Sequence, residues 1–540
     1  MKVAEAIVRC LESEGVKLVF GYPGATVVPI YERLRTSSIT HILSRHEQAV
    51  GHSANGYARV QGKPAVCFAT SGPGATNIIT SIATAYMDSI PLVVITGQVK
   101  LCNVGKDVFQ EADVTGATEC FTKYSYLVKD AKKVPDIIKE AFHIAGTGRP
   151  GPVLIDIPLD IQNEEIGEFD YEAIKVDIRG YKPTYKGHKG QIKKVIDNLK
   201  YSTKPLLCIG GGVKLSDAKK EANELSLKAK IPVVYTLMGK DSVYEDNPYL
   251  VGQIGSHGKL SANNAINEAD LIIFVGTRIG DRSMAKCKDI ENNATIIHID
   301  IDPAEIGKNI RSSIPVVGDC KNILSEILEQ VEELNTDNWI EKVTFDKKGF
   351  KLSENLSNDY VSAKFAVEKL SEIASDNAVF VTDVGQNQIW AAHNLKIKGN
   401  RRFLTSGGLG TMGYSLPTAV GARFAADDNS QVISLFGDGG FQMSMFELGT
   451  IMEHNLDLKM ILLNNNGLGM VREMQNNMYS HPFGTLFSKS PDFIKLVEAY
   501  GIKCKRVCKN SDVESAIKEA FSHKGPYFIE FMVDPKEVTL

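Results

Sequence analysis

The sequence predicts an α/β protein of three domains, each built on a mostly parallel sheet flanked by helices. Three observations predict it. Short runs rich in Val, Ile and Leu recur along the chain, at Leu18–Phe20, Ala65–Thr70, Leu92–Thr96, Val153–Ile157, Leu206–Ile209, Val233–Thr236, Leu271–Val275, Ile296–Ile299, Val379–Thr382, Val432–Phe436 and Met460–Leu463. Most lack apolar/polar alternation, so both faces of these strands should be buried. Helical stretches separate them, the rhythm of strand–helix–strand units. Two polar, charged stretches interrupt that rhythm, from Gln162 to about Gly190 and from Thr336 to about Tyr360, and read as linkers between three α/β units.

A chain of 540 residues is long enough for several domains with real cores, and 43% hydrophobic with 23% charged residues is ordinary globular composition. The net charge of −4 is too small to steer the protein to nucleic acid. No run approaches 18 apolar residues, so no membrane span is expected. Met1 to Gly15 reads as an amphipathic helix with Glu5, Glu12 and Glu14, unlike a signal or transit peptide, and a cytoplasmic location is the expectation. The nine cysteines are scattered, and three residues separate Cys504 from Cys508, which is neither a zinc nor a redox spacing. Free thiols are expected.

The chemistry-bearing signal lies in the third unit. The strand Val432–Phe436 runs into Gly437, Asp438, Gly439 and Gly440, and a helical stretch follows. The strand ending at Leu463 runs into Asn464, Asn465, Asn466 and Gly467. Glycines after a strand let backbone N–H groups approach a phosphate, and a following helix N-terminus favours negative charge. A diphosphate also needs a cation. Mg²⁺ takes oxygen ligands, which the Asp438 carboxylate and Asn465 amide supply. Both residues fall at carboxyl ends of strands, where open α/β sheets bind ligands. A lone Gly-Asp-Gly is also common turn chemistry, but the pair of motifs resembles the fingerprint of thiamine-diphosphate enzymes. That cofactor needs an acid at its pyrimidine nitrogen, held in an apolar site. Glu47, predicted in the first turn of a helix covering Gly51–Arg59, is the candidate, although a first-turn Glu is also ordinary capping chemistry. The turn Thr70–Asn77, with Pro73 and Asn77, is read as a wall of the pyrimidine pocket.

Over nearly its whole length, and in order, the chain resembles the acetolactate synthase (acetohydroxyacid synthase) catalytic-subunit family. The resemblance rests on GYPGA at 21–25, RHEQ at 45–48, ATSGPGATN at 69–77, ITGQV at 95–99, FQEAD at 109–113 and GRPGPVLIDIP at 148–158. It continues through HIDIDPAEIGKN at 298–309, TDVGQNQIWAA at 382–392, GGLGTMGYSLP at 407–417, GDGGFQMSMFELGT at 437–450 and LLNNNGLGMV at 462–471. It implies a pyrimidine-binding domain at 1–165, a central Rossmann-like, flavin-binding domain at 188–335 and a diphosphate-binding domain at 360–540.

The resemblance further implies condensation of two pyruvates to 2-acetolactate and CO₂, a step of branched-chain amino acid synthesis. The active site would lie between two subunits of a homodimer or homotetramer, with Glu47 of one facing Asp438 of the other, and a regulatory small subunit is possible. Glu47 is then the activating acid, and Gln110 touches substrate or the pyrimidine pocket. Asp438, Asn465 and the Gly467 carbonyl become ligands of Mg²⁺. Gly385, Gln386, Asn387, Gly410, Met412, Gly437, Gly439, Gly440, Leu468, Gly469 and Met470 line the thiamine diphosphate site, with Met412 as the wedge that bends the cofactor. Arg149, Gly211, Thr236, Leu237, Gly255, His257, Arg278 and Asp300 correspond to FAD-binding positions. Lys100, Cys102, Leu159 and Asn387 depart from the family pattern, and Met474 stands where a tryptophan is usual. An apolar pocket distinguishes one methylene by about 1–3 kcal/mol at most. A flexible methionine there predicts weaker preference for 2-oxobutanoate as second substrate.

Overall fold

The computed structural model describes all residues except 285–286, 349–358, 480 and 540. Among the described residues, three sheets of six strands each form the frame. The first contains β1 (Leu18–Gly21), β2 (Thr40–Leu43), β3 (Ala65–Ala69), β4 (Leu92–Gln98), β5 (Tyr124–Leu127) and β6 (Pro152–Pro158), in the order β2-β1-β3-β4-β6-β5. The second contains β7 (Pro205–Ile209), β8 (Val233–Tyr235), β9 (Leu250–Gln253), β10 (Leu271–Val275), β11 (Thr295–Asp300) and β12 (Ile314–Val317), ordered β12-β11-β10-β7-β8-β9. The third contains β13 (Val379–Thr382), β14 (Arg402–Leu404), β15 (Val432–Gly437), β16 (Leu458–Asn464), β17 (Lys503–Val507) and β18 (Tyr527–Met532), ordered β14-β13-β15-β16-β18-β17.

The ladders are parallel, as in β15 on β16, where Gly437 pairs with Leu463. Parallel strands without alternation must bury both faces, and they do. Along β10, Leu271, Ile273 and Val275 enter one apolar cluster, while Ile272 and Phe274 enter the cluster on the opposite face. Each such side chain contributes about 1.5–3 kcal/mol on burial, so a charge at Ile273 would unseat the strand.

Helices used below are α1 (Val3–Ser13), α2 (Glu47–Gln61), α3 (Pro73–Asn77), α4 (Asp337–Lys348), α5 (Gln386–Asn394), α6 (Ser415–Ala425), α7 (Asp438–Ser444) and α8 (Gly469–Met478). All the strands read from the sequence are present, with ends shifted by a residue or two. The strands not read from it are β2, β5, β9, β12, β14 and β17, which are the sheet edges, and β18. Edge strands are only three to five residues long, and some are largely polar, as in Lys503–Val507, so they give a weak signal.

The stretch expected as a linker from Thr336 to Tyr360 needs correcting. Its first part is α4, anchored by buried Trp339, whose Nε1 donates to the Pro205 carbonyl at 3.0 Å, and by Val343. Two apolar anchors one turn apart suffice to dock a helix whose other residues are mostly polar or charged, which hid it in a reading by composition. Part of the remainder lies outside the described residues.

By backbone contact the chain forms two compact units, one of residues 1–181, 357–395 and 404–539, the other mainly of 182–356. The first sheet and strands β13, β15, β16, β17 and β18 of the third therefore share a unit. Their seam is made by α2 and α6. A Cβ on Gly56 would fall 2.0 Å from the Thr418 carbonyl oxygen, and one on Gly421 would fall 1.7 Å from that of Ser53. Only glycine allows this backbone approach. Ser53 Oγ donates to the Pro417 carbonyl at 2.9 Å, and Tyr414 donates to Asn55 at 2.9 Å.

Candidate functional site

The predicted diphosphate residues gather at the carboxyl edge of the third sheet. Strands β14, β13, β15 and β16 are consecutive neighbours there. The turns that follow them carry Gly410 and Met412, then Gly385 and Gln386, then Asp438, then Asn465 and Gly467.

Asp438 is the first residue of α7 and is 1% exposed. Its Oδ1 accepts the Gly439 N–H at 3.0 Å and its Oδ2 accepts the Gly467 N–H at 2.9 Å. The second bond draws the turn after β16 against Asp438. Burial pushes the Asp438 carboxyl up to about 6, against the pull of those two N–H groups. Asn464, the first of the asparagines, is structural: Nδ2 donates to Glu530 at 2.7 Å and Oδ1 accepts the Asn466 N–H at 3.0 Å. Asn466 takes the left-handed conformation, φ 53°, which turns the chain toward Gly467. Asn465 is buried, and its Nδ2 donates to Gln386 Oε1 at 2.8 Å. Among the described residues nothing donates to its Oδ1.

This donor set fits a hard cation. Among the described residues no three His, Cys, Asp or Glu side chains converge on a metal position. An ion here must take a carboxylate, an amide oxygen, a backbone carbonyl and oxygens from its ligand, as Mg²⁺ does with phosphates. The space also fits an anionic ligand. A Cβ on Gly410 would meet nothing within 4 Å, and on Gly437 nothing closer than the Asn387 amide at 3.8 Å. Gly439 lies under an apolar lip, since a Cβ there would fall 2.8 Å from Leu468 and 3.3 Å from Met412. Gly469 leaves room for the Gln386 and Asn465 amides, which a Cβ would strike at 1.9 and 2.5 Å.

Sequence reasoning missed Asp383. It is buried after β13, and its carboxylate accepts N–H groups of Val384, Gly413 and Ser415 at 2.9, 3.0 and 2.9 Å. It thereby ties the loop bearing Gly410 and Met412 to the turn bearing Gln386. Burial raises its carboxyl to about 6. An acid between a strand and a glycine was the available signal.

At the first sheet, Glu47 opens α2 behind the N-cap His46, whose Nδ1 accepts the Gln48 N–H at 3.1 Å. Glu47 is 9% exposed, and its Oε2 accepts Asn77 Nδ2 at 3.0 Å. Gly74 of α3 keeps Oε1 clear, because a Cβ there would fall 3.2 Å from it. Gln110 has φ 59° and packs its backbone on the Gly72 turn, before Pro73. A buried pair places that segment: Gln98 Nε2 donates to Asp156 at 2.9 Å and to the Ala112 carbonyl at 2.8 Å. The Asp156 carboxyl is pushed up to about 7 by burial. Lys100 and Cys102 flank Leu101, whose N–H donates to Asp160 at 2.9 Å, next to Leu159, so these departures share one rim. Among the described residues no hydrogen bond or ion pair joins Glu47 or Asn77 to the third-sheet edge.

In the second unit, Asp300 ends β11, while Gly276 and Arg278 follow β10. Gly211 follows β7, Thr236 and Leu237 follow β8, and Gly255 and His257 follow β9. They form one row along the carboxyl edge. The glycines pack on one another, since a Cβ on Gly210 would fall 2.2 Å from the Gly276 carbonyl oxygen. Arg149, in the other unit, donates from Nε to Ser89 Oγ at 2.9 Å.

The fold and the paired motifs define a class, and the family comparisons agree with it. Residues 1–117 match the thiamine pyrophosphate enzyme N-terminal TPP binding domain, 192–327 the central domain and 383–531 the C-terminal TPP binding domain. Curated relatives narrow it. The probable acetolactate synthase large subunit of Methanocaldococcus jannaschii is 44% identical, over 99% of this chain and 93% of its own. The acetolactate synthase large subunit of Cyanidium caldarium is 42% identical, over 99% and 93%, and the acetolactate synthase of Arthrospira platensis 42%, over 99% and 94%. The chain belongs to the acetolactate synthase large-subunit family of thiamine-diphosphate-dependent enzymes.

Proposed function

We propose that the protein condenses two molecules of pyruvate to 2-acetolactate with loss of CO₂, supplying branched-chain amino acid synthesis in the cytoplasm. When bound, thiamine diphosphate would supply a nucleophilic carbon toward a 2-oxo acid and a cationic ring that serves as the electron sink for loss of CO₂. The chain's own residues do the rest. Asp438, Asn465 and the Gly467 carbonyl hold Mg²⁺, and with it the diphosphate. Gly385, Asn387, Gly437 and the backbone from Leu468 to Met470 leave room for that group, and Met412 supports the ring. Glu47, oriented by Asn77, holds a proton at the pyrimidine nitrogen. Gln110 borders the substrate.

The observation that carries this reading is the pairing of buried Asp438 with Asn465 on neighbouring strand ends, with no donor to the Asn465 oxygen among the described residues. The family resemblance supports a site completed by two subunits, pairing Glu47 of one with Asp438 of its partner in a homodimer or larger assembly. The "large subunit" names of the relatives support a regulatory small subunit as further partner. The row from Asp300 to His257 is the proposed FAD site, matching a central domain at 188–335, with cofactor-binding domains at 1–165 and 360–540.

Purified protein incubated with thiamine diphosphate, Mg²⁺ and pyruvate should release CO₂ and acetolactate, with flavin absorbance in the protein band. Acetaldehyde as sole product would make the protein a decarboxylase instead.

A further inference from the structure

Asn465 can ligate a cation only through its oxygen. At a side-chain amide the oxygen and nitrogen are nearly the same size, so orientation is set by hydrogen bonding alone. Here the orientation passes through three residues. Asn465 Nδ2 donates to Gln386 Oε1 at 2.8 Å. Gln386 Nε2 donates to Glu473 Oε2 at 2.8 Å and to the Glu537 carbonyl at 3.2 Å. Glu473, on α8, accepts at Oε1 from Thr539 Oγ1 at 2.8 Å and at both carboxylate oxygens from the Thr539 N–H at 3.2 Å.

An ionised carboxylate only accepts, and so does a backbone carbonyl. The Gln386 amide must therefore turn its NH₂ toward Glu473 and Glu537, which leaves Oε1 toward Asn465. Asn465 must answer with its NH₂, and its Oδ1 faces the other way. The 533–539 segment is itself pinned: Glu537 accepts the Ala363 N–H at 2.8 Å, and Trp390 Nε1 donates to the Val538 carbonyl at 3.2 Å.

We propose that Glu473 is a positioning residue that fixes the polarity of the Gln386–Asn465 amide pair and so aims the Asn465 oxygen at the cation. The relay rests on the reading of Asp438 and Asn465 as cation ligands. Supporting residues of this kind are worth about 10–100-fold in metal affinity. Glu473→Ala should weaken Mn²⁺ binding by about that factor. Glu473→Gln, of the same shape but able to donate, should fall at the lower end, and Thr539→Ala should act less than either. In each, excess cation should restore kcat.

The test is Mn²⁺ titration of the full chain with saturating thiamine diphosphate, free Mn²⁺ being followed by electron paramagnetic resonance, beside thermal melts of the cation-free proteins. The relay predicts weakened Mn²⁺ binding in Glu473→Gln with an unchanged melt. Should Glu473→Ala fail to fold, the isosteric Glu473→Gln decides. If Glu473→Gln binds Mn²⁺ as tightly as wild type while Asp438→Asn does not bind it, the relay is overturned and the site stands. If Asp438→Asn binds Mn²⁺ like wild type, the site assignment falls and the relay with it.

Discussion

After β7 and β10 of the second sheet, Gly210, Gly212 and Gly276 face one another. A Cβ on Gly210 would fall 2.2 Å from the Gly276 carbonyl oxygen, and one on Gly212 would fall 2.6 Å from the Gly276 Cα. At the third-sheet edge, Gly410 has nothing within 4 Å of a Cβ position and Gly437 nothing nearer than 3.8 Å. Both sets read alike in sequence, as glycines in turns between an apolar stretch and a helix. The first set exists so that two turns can touch. The second leaves a space that nothing in its own turn fills. A glycine run alone is therefore weak grounds for a phosphate site. The flavin reading of the second sheet draws its support from the row of Asp300, Arg278, Thr236 and His257 instead.

The largest effect that could break this contrast comes from the charged residues. Asp438→Ala should lower cation-dependent thiamine diphosphate affinity by more than the ~100-fold upper range for a supporting residue, and leave any bound flavin in place. Asp300→Ala should do the reverse, measured by isothermal titration and by absorbance. The glycines give a sharper separation. Gly210→Ala forces backbone apart and should cost about 1–3 kcal/mol of stability or more, read as a lower denaturation midpoint. Gly437→Ala should leave that midpoint nearly unchanged and weaken thiamine diphosphate instead.

A smaller effect is expected at the substrate rim. Met474→Trp should raise the product fraction formed with 2-oxobutanoate in competition with pyruvate by about tenfold, the lower end of what one methylene supplies. A wild-type protein already strongly selective for 2-oxobutanoate would contradict the reading of Met474.

The smallest concerns a buried acid away from the site. Glu447 accepts the Arg45 N–H at 2.5 Å, yet burial pushes its carboxyl up to about 7. The folded protein thus keeps a proton that the unfolded chain releases near the ordinary glutamate range. That stabilisation is present at low pH and lost as pH rises toward 7. Relative to Glu447→Gln, wild type should lose about 2 °C of melting temperature between pH 5 and 7.5. A parallel pH profile for the two proteins would show that Glu447 titrates as an exposed acid.

Much of this was legible in the sequence, for physical reasons. Interior strands such as β10 announce themselves because both faces are buried. The edges, such as β17, do not, because water covers one side. The helix α4 hid behind its charges, since two anchors, Trp339 and Val343, hold it. The placement of Asp438 and Asn465 at strand ends and of Glu47 at a helix start was legible because each falls in a recognisable run. Asp383 and the Glu473–Gln386–Asn465 relay were not. Their meaning lies in partners far along the chain, Gly413 and Thr539, and hydrogen-bond polarity leaves no periodic trace.

The central claim is that a cation-held diphosphate at the third-sheet edge and the Glu47 carboxyl from a second subunit act on one cofactor. Hydrogen–deuterium exchange at the thiazolium C2 of the bound cofactor reads it most directly. The account predicts that Glu47→Gln slows exchange by about 10²–10⁴-fold while thiamine diphosphate affinity changes only a few fold. Exchange at the wild-type rate in that variant, with cofactor still bound, would contradict it.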